Sequence, residues 1–422
     1  MKKRLILLLD DYPYSPGEYP FIKTELKHLT KEFDVSIICR SMEDTQQMQT
    51  DPDITVYHNK MIFGFKEKIG SLLSMIATKA GRSEITDILK GKRDITGRFY
   101  TSLSYYGCAI LTRDFAQKHI LKDKNEQILI YSYWFNSSCL GFLLDKDKYP
   151  GMKVISRIHG YDLYNERSPY NRQPFRKLMD DKIDALYFIA QKGQEYYTDT
   201  FGSNAFDGKY GYAPIGTEKP DRSETDSMKD KDHFELISCS DCIPLKRIHL
   251  IIEALASINE NDISEKSVKW IHFGGGRLFE ELKSLADKLL SDKNNIQFEM
   301  KGSLKVEEIL QYYGNHHVDG FITTSETEGC PVSIQEALSY GIPIIGTDVG
   351  EIPNMLKDCG YLLSKDPSSD EVKDTILKLY KDSFDDIKTS DMRNKAYDVW
   401  CEKYDGELNA KKFVREIADI IA

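Results

Sequence analysis

The 422-residue sequence predicts an α/β protein of two Rossmann-like, doubly wound domains facing a central cleft. Three observations carry that expectation. Apolar runs of strand length alternate with longer segments of helical period along most of the chain, the pattern of parallel sheets covered by helices on both faces. The stretch IGTEKPDRSETDSMKDKD, residues 215–232, has almost no apolar residue and divides the chain into halves that each open on a buried strand. A doubly wound sheet binds its ligand beyond the carboxyl ends of its strands, so two such domains on a linker define a cleft where strand ends face each other. The expected boundaries are 1–213 for the first domain, 214–232 for the linker and 233–398 for the second domain. A helix within 399–422 is expected to pack back toward the first domain.

In chain order, RLILLL (4–9) is the first buried strand, followed by DVSIIC (34–39), QILIYSYW (127–134), KVISRIH (153–159) and ALYFIA (185–190). After the linker come FELISCS (234–240), VKWIHF (268–273), NIQFEM (295–300), DGFITTS (319–325) and IPIIGT (342–347). Each is a short apolar run suited to a strand buried on both faces. Among the helices, HLIIEALASI (249–258) places Leu250, Ala254 and Ile258 on one face, with Ile251 and Leu255 beside them. The segment LFEELKSLADKLL (278–290) has the same kind of period.

Composition narrows the function classes. Lys and Arg total 57 against 67 Asp and Glu, a net charge of −10, whereas a dedicated nucleic-acid binder draws its affinity from neutralising phosphates and is usually basic. The 25 tyrosines do not alternate with basic residues as a base-stacking surface would. Eight scattered cysteines are too dilute for a disulfide framework and suit a reducing compartment. The basic, apolar amino terminus meets acidic residues at once and reads as a strand rather than a signal peptide. No apolar run approaches the ~20 residues of a membrane span, so a cytoplasmic protein is expected, with any membrane contact peripheral at the inner face. One stretch departs from the acidic average: between Lys60 and Arg98 there are nine basic residues and four acidic ones, interleaved with apolar residues in MIFGFKEKIGSLLSMIATKAGR. It reads either as a solvated helical face or as a surface resting on anionic lipid, with Lys66, Lys68, Lys79 and Arg82 as the residues to reverse.

The chemistry concentrates in DGFITTSETEGCPVSIQEALSYGIPIIGTDVGEIP. A strand runs into a polar loop and a helix starts near Pro331, where a missing N–H costs nothing. The backbone donors of Gly329, Cys330, Val332 and Ser333 are then free at a helix amino terminus, a ready anion site. Two carboxylates, Glu328 and Glu336, flank it, and carboxylates beside a phosphate suit the hydroxyls of attached sugars. This spacing fits a ligand with a central diphosphate and a sugar at each end. Lys246 and Arg247 stand at the start of a helix, where a cation is out of place unless an anion binds there. His159 follows a strand, and the Gly160 and Asp162 after it favour a loop at the cleft.

SETEGCPVSIQEALSYGIPIIGTDVGEIP resembles the donor-site signature of the retaining, GT-B-fold glycosyltransferases of family four, the glycosyl transferases group 1. LKRIHLIIEAL, HFGGGRLFEELKSLA, the KGSL turn, RIHGYDLY and SPGEYPFIKTEL extend the resemblance over nearly the whole chain in the expected order, apart from residues 60–124. The resemblance implies that Glu336 binds the nucleotide ribose and that Glu328 lies near the donor sugar. It implies that Lys246, with Arg247, holds the diphosphate, while Gly329, Cys330, Pro331 and Val332 supply backbone contacts. Gly302 and Ser303 would face the base, His159 would touch the transferred sugar, and Gly17 with Glu18 would line the cleft from the other side. Family members often carry an arginine five positions before the phosphate lysine; here that position is Asp241. Either Arg247 supplies the missing charge or the donor binds more weakly.

The resemblance further implies transfer of a hexose from a nucleotide diphosphate sugar, a UDP-sugar favoured, to a hydroxyl of a growing polysaccharide or lipid-linked glycan. It implies retention and no metal or other cofactor. A sugar-nucleotide epimerase of the same fold and a non-catalytic sugar-nucleotide-binding partner are the alternatives. Other signals point elsewhere but lack completion. The pairs Asp51/Asp53 and Asp145/Asp147 do not follow strands as a metal site would. Cys239 and Cys242 have no second pair. Gly274–Gly276 lacks the third glycine of a dinucleotide fingerprint, Phe279 standing in its place.

Overall fold

A computed structural model of the chain describes residues 2–15, 17–42, 47–61, 64–201, 209–220, 233–263 and 265–421; most of the expected linker, residues 221–232, lies outside them. The chain divides into two compact units, one of residues 1–215 and 408–422, the other of residues 216–407.

Among the described residues the first unit contains seven strands: β1 (Lys3–Leu9), β2 (Phe33–Cys39), β3 (Thr55–His58), β4 (Ile128–Ser132), β5 (Met152–Ile158), β6 (Ala185–Phe188) and β7 (Tyr210–Tyr212). They pair in parallel in the order β3-β2-β1-β4-β5-β6-β7. Both faces are covered, which is why β1 is a continuous apolar run instead of an alternating one. Leu5, Leu7 and Leu9 join one core with Ile22, Leu26 and Leu29 of the helix Tyr19–Glu32 and with Phe413, Val414 and Ile417 of the helix Gly406–Asp419. Ile6 and Leu8 join the opposite core, under the helices Ile95–His119 and Ser137–Leu144. A buried ion pair, Arg157 Nη1 to Glu25 Oε2 at 2.7 Å, ties β5 to the helix Tyr19–Glu32, and the guanidinium lies 4.4 Å from the centre of the Phe413 ring.

The second unit contains β8 (His233–Cys239), β9 (Ser267–Phe273), β10 (Ile296–Gly302), β11 (Gly320–Thr323), β12 (Ile344–Thr347) and β13 (Gly360–Leu363), all parallel in the order β10-β9-β8-β11-β12-β13. Phe234, Leu236, Ile322 and Ile345 face one core, and Ile237, Phe321 and Ile344 the other. In both sheets the order reverses beside the first strand. In the second unit the crevice this creates lies between the carboxyl ends of β8 and β11.

Three strands were not expected. β3, β7 and β13 are the outermost strands of their sheets, and most of their residues are half-buried, so none carries the apolar run that marks an interior strand. The expected boundary at 399 falls inside the helix Asp386–Lys403, and the chain returns to the first unit only with the next helix, Gly406–Asp419. The segments entering and leaving the second unit run side by side: Thr217 N–H donates to Tyr404 O and Gly406 N–H to Thr217 O, both at 2.9 Å. Residues 216 and 217 are thus pinned within the second unit instead of forming a free tether.

Candidate active site

The loops after β8 and β11 are clipped together at the crevice. Thr324 Oγ1 donates to the carbonyls of Lys246 and Arg247, and Glu326 N–H donates to Leu245 O at 2.8 Å. This brings Lys246 Nζ to 2.5 Å from Glu328 Oε1, a partly buried pair formed across 82 residues of sequence. Pro331 caps the helix Val332–Ser339 without any side-chain hydrogen bond, and no acidic residue occupies the first turn, so the N–H groups of Val332 and Ser333 have no side-chain acceptor. Glu336 lies one turn in, 8% exposed, and its carboxylate has no hydrogen-bond partner among the described residues. Burial alone pushes its pKa up to about 7. Ser303 is exposed at the end of β10. Cys330 donates no charge here: burial pushes its thiol up to about 12, and its sulfur accepts from Gln335 Nε2.

Gly329 and Gly350 differ in kind. A Cβ on Gly329 would meet nothing within 4 Å. Gly350 has φ +54° and a Cβ there would fall 2.1 Å from Glu328 O, while the adjacent Glu351 N–H donates to Gly329 O. The loop after β12 therefore buttresses the carboxylate loop, a role sequence reasoning missed; its only trace was a glycine shortly after a strand. Gly350→Ala is expected to destabilise the fold by more than about 1 kcal/mol and to weaken nucleotide binding, read from thermal melts with and without ligand.

Arg247 departs from expectation. Its Nε donates to Thr324 O, Nη2 to Ser325 O and Lys365 O, and Nη1 pairs with Asp366 at 2.7 Å. The guanidinium is spent on ordering the β11 loop, so it does not stand in for the arginine replaced by Asp241; Asp241 itself is exposed.

In the first unit, the ends of β1, β4 and β5 bring together Glu18, Trp134, His159 and Asp162. Glu18 was expected to line a cleft, but it is 2% exposed, and its carboxylate accepts from the N–H groups of Asp10, Asp11 and Tyr12 and from Trp134 Nε1. It shapes the loop from inside, as Asp162 does by accepting from Phe135 N–H and His159 N–H at 2.8 and 2.7 Å. Burial pushes Asp162 up to about 6. Gly17 is exposed. His159 packs against Trp134 and Tyr133, and neither ring nitrogen has a hydrogen-bond partner. Burial, with Arg157 nearby, holds its pKa well below the ordinary value, so the imidazole is neutral and can both donate and accept.

The remaining signals have structural homes. Asp51 closes a turn by accepting from Asp53 N–H, Asp145 pairs with Lys148, and Asp147 with Lys182. The Gly274–Gly276 turn packs on the β8 loop through Cys242 N–H to Gly275 O. Among the described residues no three His, Cys, Asp or Glu side chains converge as a metal site.

Two doubly wound parallel sheets, the second carrying an uncapped helix start flanked by a lysine and two carboxylates, define a protein of the GT-B fold. Residues 221–399 match the family described as glycosyl transferases group 1. It is 31% identical over 123 residues to the O-antigen biosynthesis glycosyltransferase WbnH of Escherichia coli, an alignment covering 29% of this chain and 32% of that protein. The chain spans about a third of the length of the curated relatives it matches. Among solved structures, Anabaena HepE in complex with UDP and glucose is 15% identical with a TM-score of 0.63, covering 99% of both chains. The apo lipopolysaccharide outer core galactosyltransferase WaaB is 12% identical with a TM-score of 0.65, also covering 99% of both.

Proposed function

We propose that the chain is a retaining, metal-independent glycosyltransferase that moves a hexose from a UDP-sugar to a hydroxyl of a polysaccharide or lipid-linked glycan acceptor. The observation that carries this reading is the second-unit crevice, where Lys246, the open start of helix Val332–Ser339 and the unpartnered Glu336 surround one loop. Ribose hydroxyls would donate to Glu336. The diphosphate would sit between Lys246 and the N–H groups of Val332 and Ser333, drawing Lys246 partly away from Glu328 and leaving that carboxylate to the hydroxyls of the donor sugar.

Cleaving the bond between sugar and diphosphate develops negative charge on the departing phosphate. A fixed cation and backbone donors aimed at it lower the barrier without reorganising at the moment of reaction. The acceptor hydroxyl attacks the anomeric carbon on the face the phosphate leaves, and the departing phosphate takes its proton; configuration is retained. His159, neutral and unpartnered, offers hydrogen bonds to sugar hydroxyls. The fold shared with HepE, crystallised with UDP and glucose, supports the nucleotide, and the similarity to WbnH supports a glycan acceptor. The eight unpaired cysteines are in keeping with a cytoplasmic enzyme.

The decisive experiment pairs a thermal-shift panel of nucleotides and nucleotide sugars with product analysis by NMR. UDP and one UDP-sugar are expected to raise the melting temperature, and the product linkage to keep the donor's anomeric configuration. Donor turnover with no acceptor present would mark an epimerase, and affinity without transfer or slow donor hydrolysis a binding partner. Gly329→Ala sharpens the test. A methyl group there meets no protein atom, so the apo melting temperature should stay within about 1 °C while UDP-sugar affinity drops about tenfold through collision with the ligand. Unchanged affinity would remove the diphosphate from this loop.

A further inference from the structure

The helix Phe65–Ala77 turns its more apolar side outward. Ile69, Leu73 and Ile76 are 45, 63 and 53% exposed, and their spacing of four and three residues lines them up as a ridge about 10 Å long on one helix face. The opposite face, with Ser71 and Met75, is the buried one. A ridge this apolar in water calls for a partner.

Its surroundings identify the chemistry of that partner. Lys66 stands exposed one turn before Ile69, and Lys79 is exposed just beyond the ridge's other end. Arg82 Nη1 donates to the carbonyls of Ile76 and Ala77, holding a guanidinium beside the same end. Lys68 lies over the ring of Tyr100, which is itself 58% exposed, an aromatic and a cation paired as at a membrane–water boundary. None of these four cations has an ion-pair partner among the described residues. In a chain of net charge −10, these four cations gather around the exposed apolar ridge. We propose that this face docks the protein on an anionic lipid bilayer, with the helix lying in the interface plane, Ile69, Leu73 and Ile76 entering the acyl boundary and Lys66, Lys68, Lys79 and Arg82 meeting lipid phosphates. A second protein copy would bring the same positive charge to the contact and repel it. The proposal stands independently of the glycosyltransferase reading.

The test is flotation of the full chain with vesicles of phosphatidylglycerol and phosphatidylcholine, against vesicles of phosphatidylcholine alone. The protein is expected to float with the anionic vesicles, to stay behind with the neutral ones and to be released at high salt. Lys66→Gln with Lys79→Gln should weaken partitioning about 25-fold, taking about fivefold for each cation lost near the surface. Leu73→Ser with Ile76→Ser should weaken it about tenfold or more. Both pairs are exposed, so melting temperatures should match the parent and separate lost docking from lost folding. Absence of flotation, flotation unaffected by either pair, or equal flotation with neutral vesicles would overturn the proposal. So would sedimentation analysis showing a dimer that Leu73→Ser with Ile76→Ser dissociates, since a second copy would then cover the ridge.

Discussion

Lys246→Ala is expected to lower the rate of sugar transfer by about 10² to 10³-fold, the usual consequence of removing one fixed group that stabilises charge developing on a leaving oxygen. The loss should fall mainly on kcat, because the charge on the departing phosphate is greater in the transition state than in the bound donor. The same substitution strands Glu328, 12% exposed in its side chain, without its 2.5 Å partner, so some loss of stability accompanies it. Lys246→Ala combined with Glu328→Gln separates the two effects. The double variant should regain melting temperature by removing the unpaired carboxylate, yet remain as inactive as the single one. Recovery of activity with stability would mean that Lys246 acts only as a structural partner of Glu328, and the diphosphate role would fall.

Glu336→Gln carries the second large effect, and its sign depends on pH. Burial raises the carboxyl from the ordinary 4.5 to about 7. The folded protein therefore holds a proton that the unfolded chain has already released between those values. The stability this group contributes is full below about pH 4.5 and is lost as pH rises through about 7. Glutamine keeps the shape without titrating. Its melting temperature should match the parent's at pH 4 and exceed it above pH 7, by a free energy of the order of 3 kcal/mol. Nucleotide affinity should move the other way, falling about 10 to 100-fold as ribose hydroxyls lose a charged acceptor. In the parent that affinity should strengthen as pH rises through about 7. A stability gain independent of pH would refute the buried carboxylate, and unchanged nucleotide affinity would remove Glu336 from the ribose.

How much was legible in advance follows burial. Among the described residues the nine interior strands announced themselves because strands covered on both faces must be apolar at consecutive positions, as Leu5 to Leu9 are. Of the outermost strands, β3, β7 and β13 carry no such run and left no trace, whereas β10 was legible in NIQFEM although only Ile296 of it is buried. In the site, spacing along one loop and helix marked Glu328, Gly329 and Glu336, since those residues share a local frame. What local sequence cannot show is where a long side chain ends. Arg247 directly follows Lys246, yet its backbone at φ +47° sends the guanidinium to three carbonyls and Asp366, while Lys246 reaches Glu328. Glu18 and Asp162 likewise turned inward, Glu18 recruited by the backbone N–H groups of Asp10, Asp11 and Tyr12 in the loop just before it, and Asp162 by that of Phe135, 27 residues earlier. Polar residues at strand ends divide between ligand and loop, and that division is settled by tertiary hydrogen bonding.

The ring of Phe413 over Arg157, and Val414 and Ile417 beside it, have a consequence in time. The first unit is interrupted: residues 216–407 are made between its sheet and the helix that, beside Tyr19–Glu32, completes the cover of one face of that sheet. At about 5 to 20 residues per second, the ribosome takes roughly 10 to 40 s to cross that insertion. Through that interval Tyr131, Tyr187 and the Arg157–Glu25 pair await their lid, although every strand of the sheet has already been synthesised. The nascent chain thus spends much of its synthesis with a finished sheet and part of one apolar face open, the condition under which a chaperone finds its substrate.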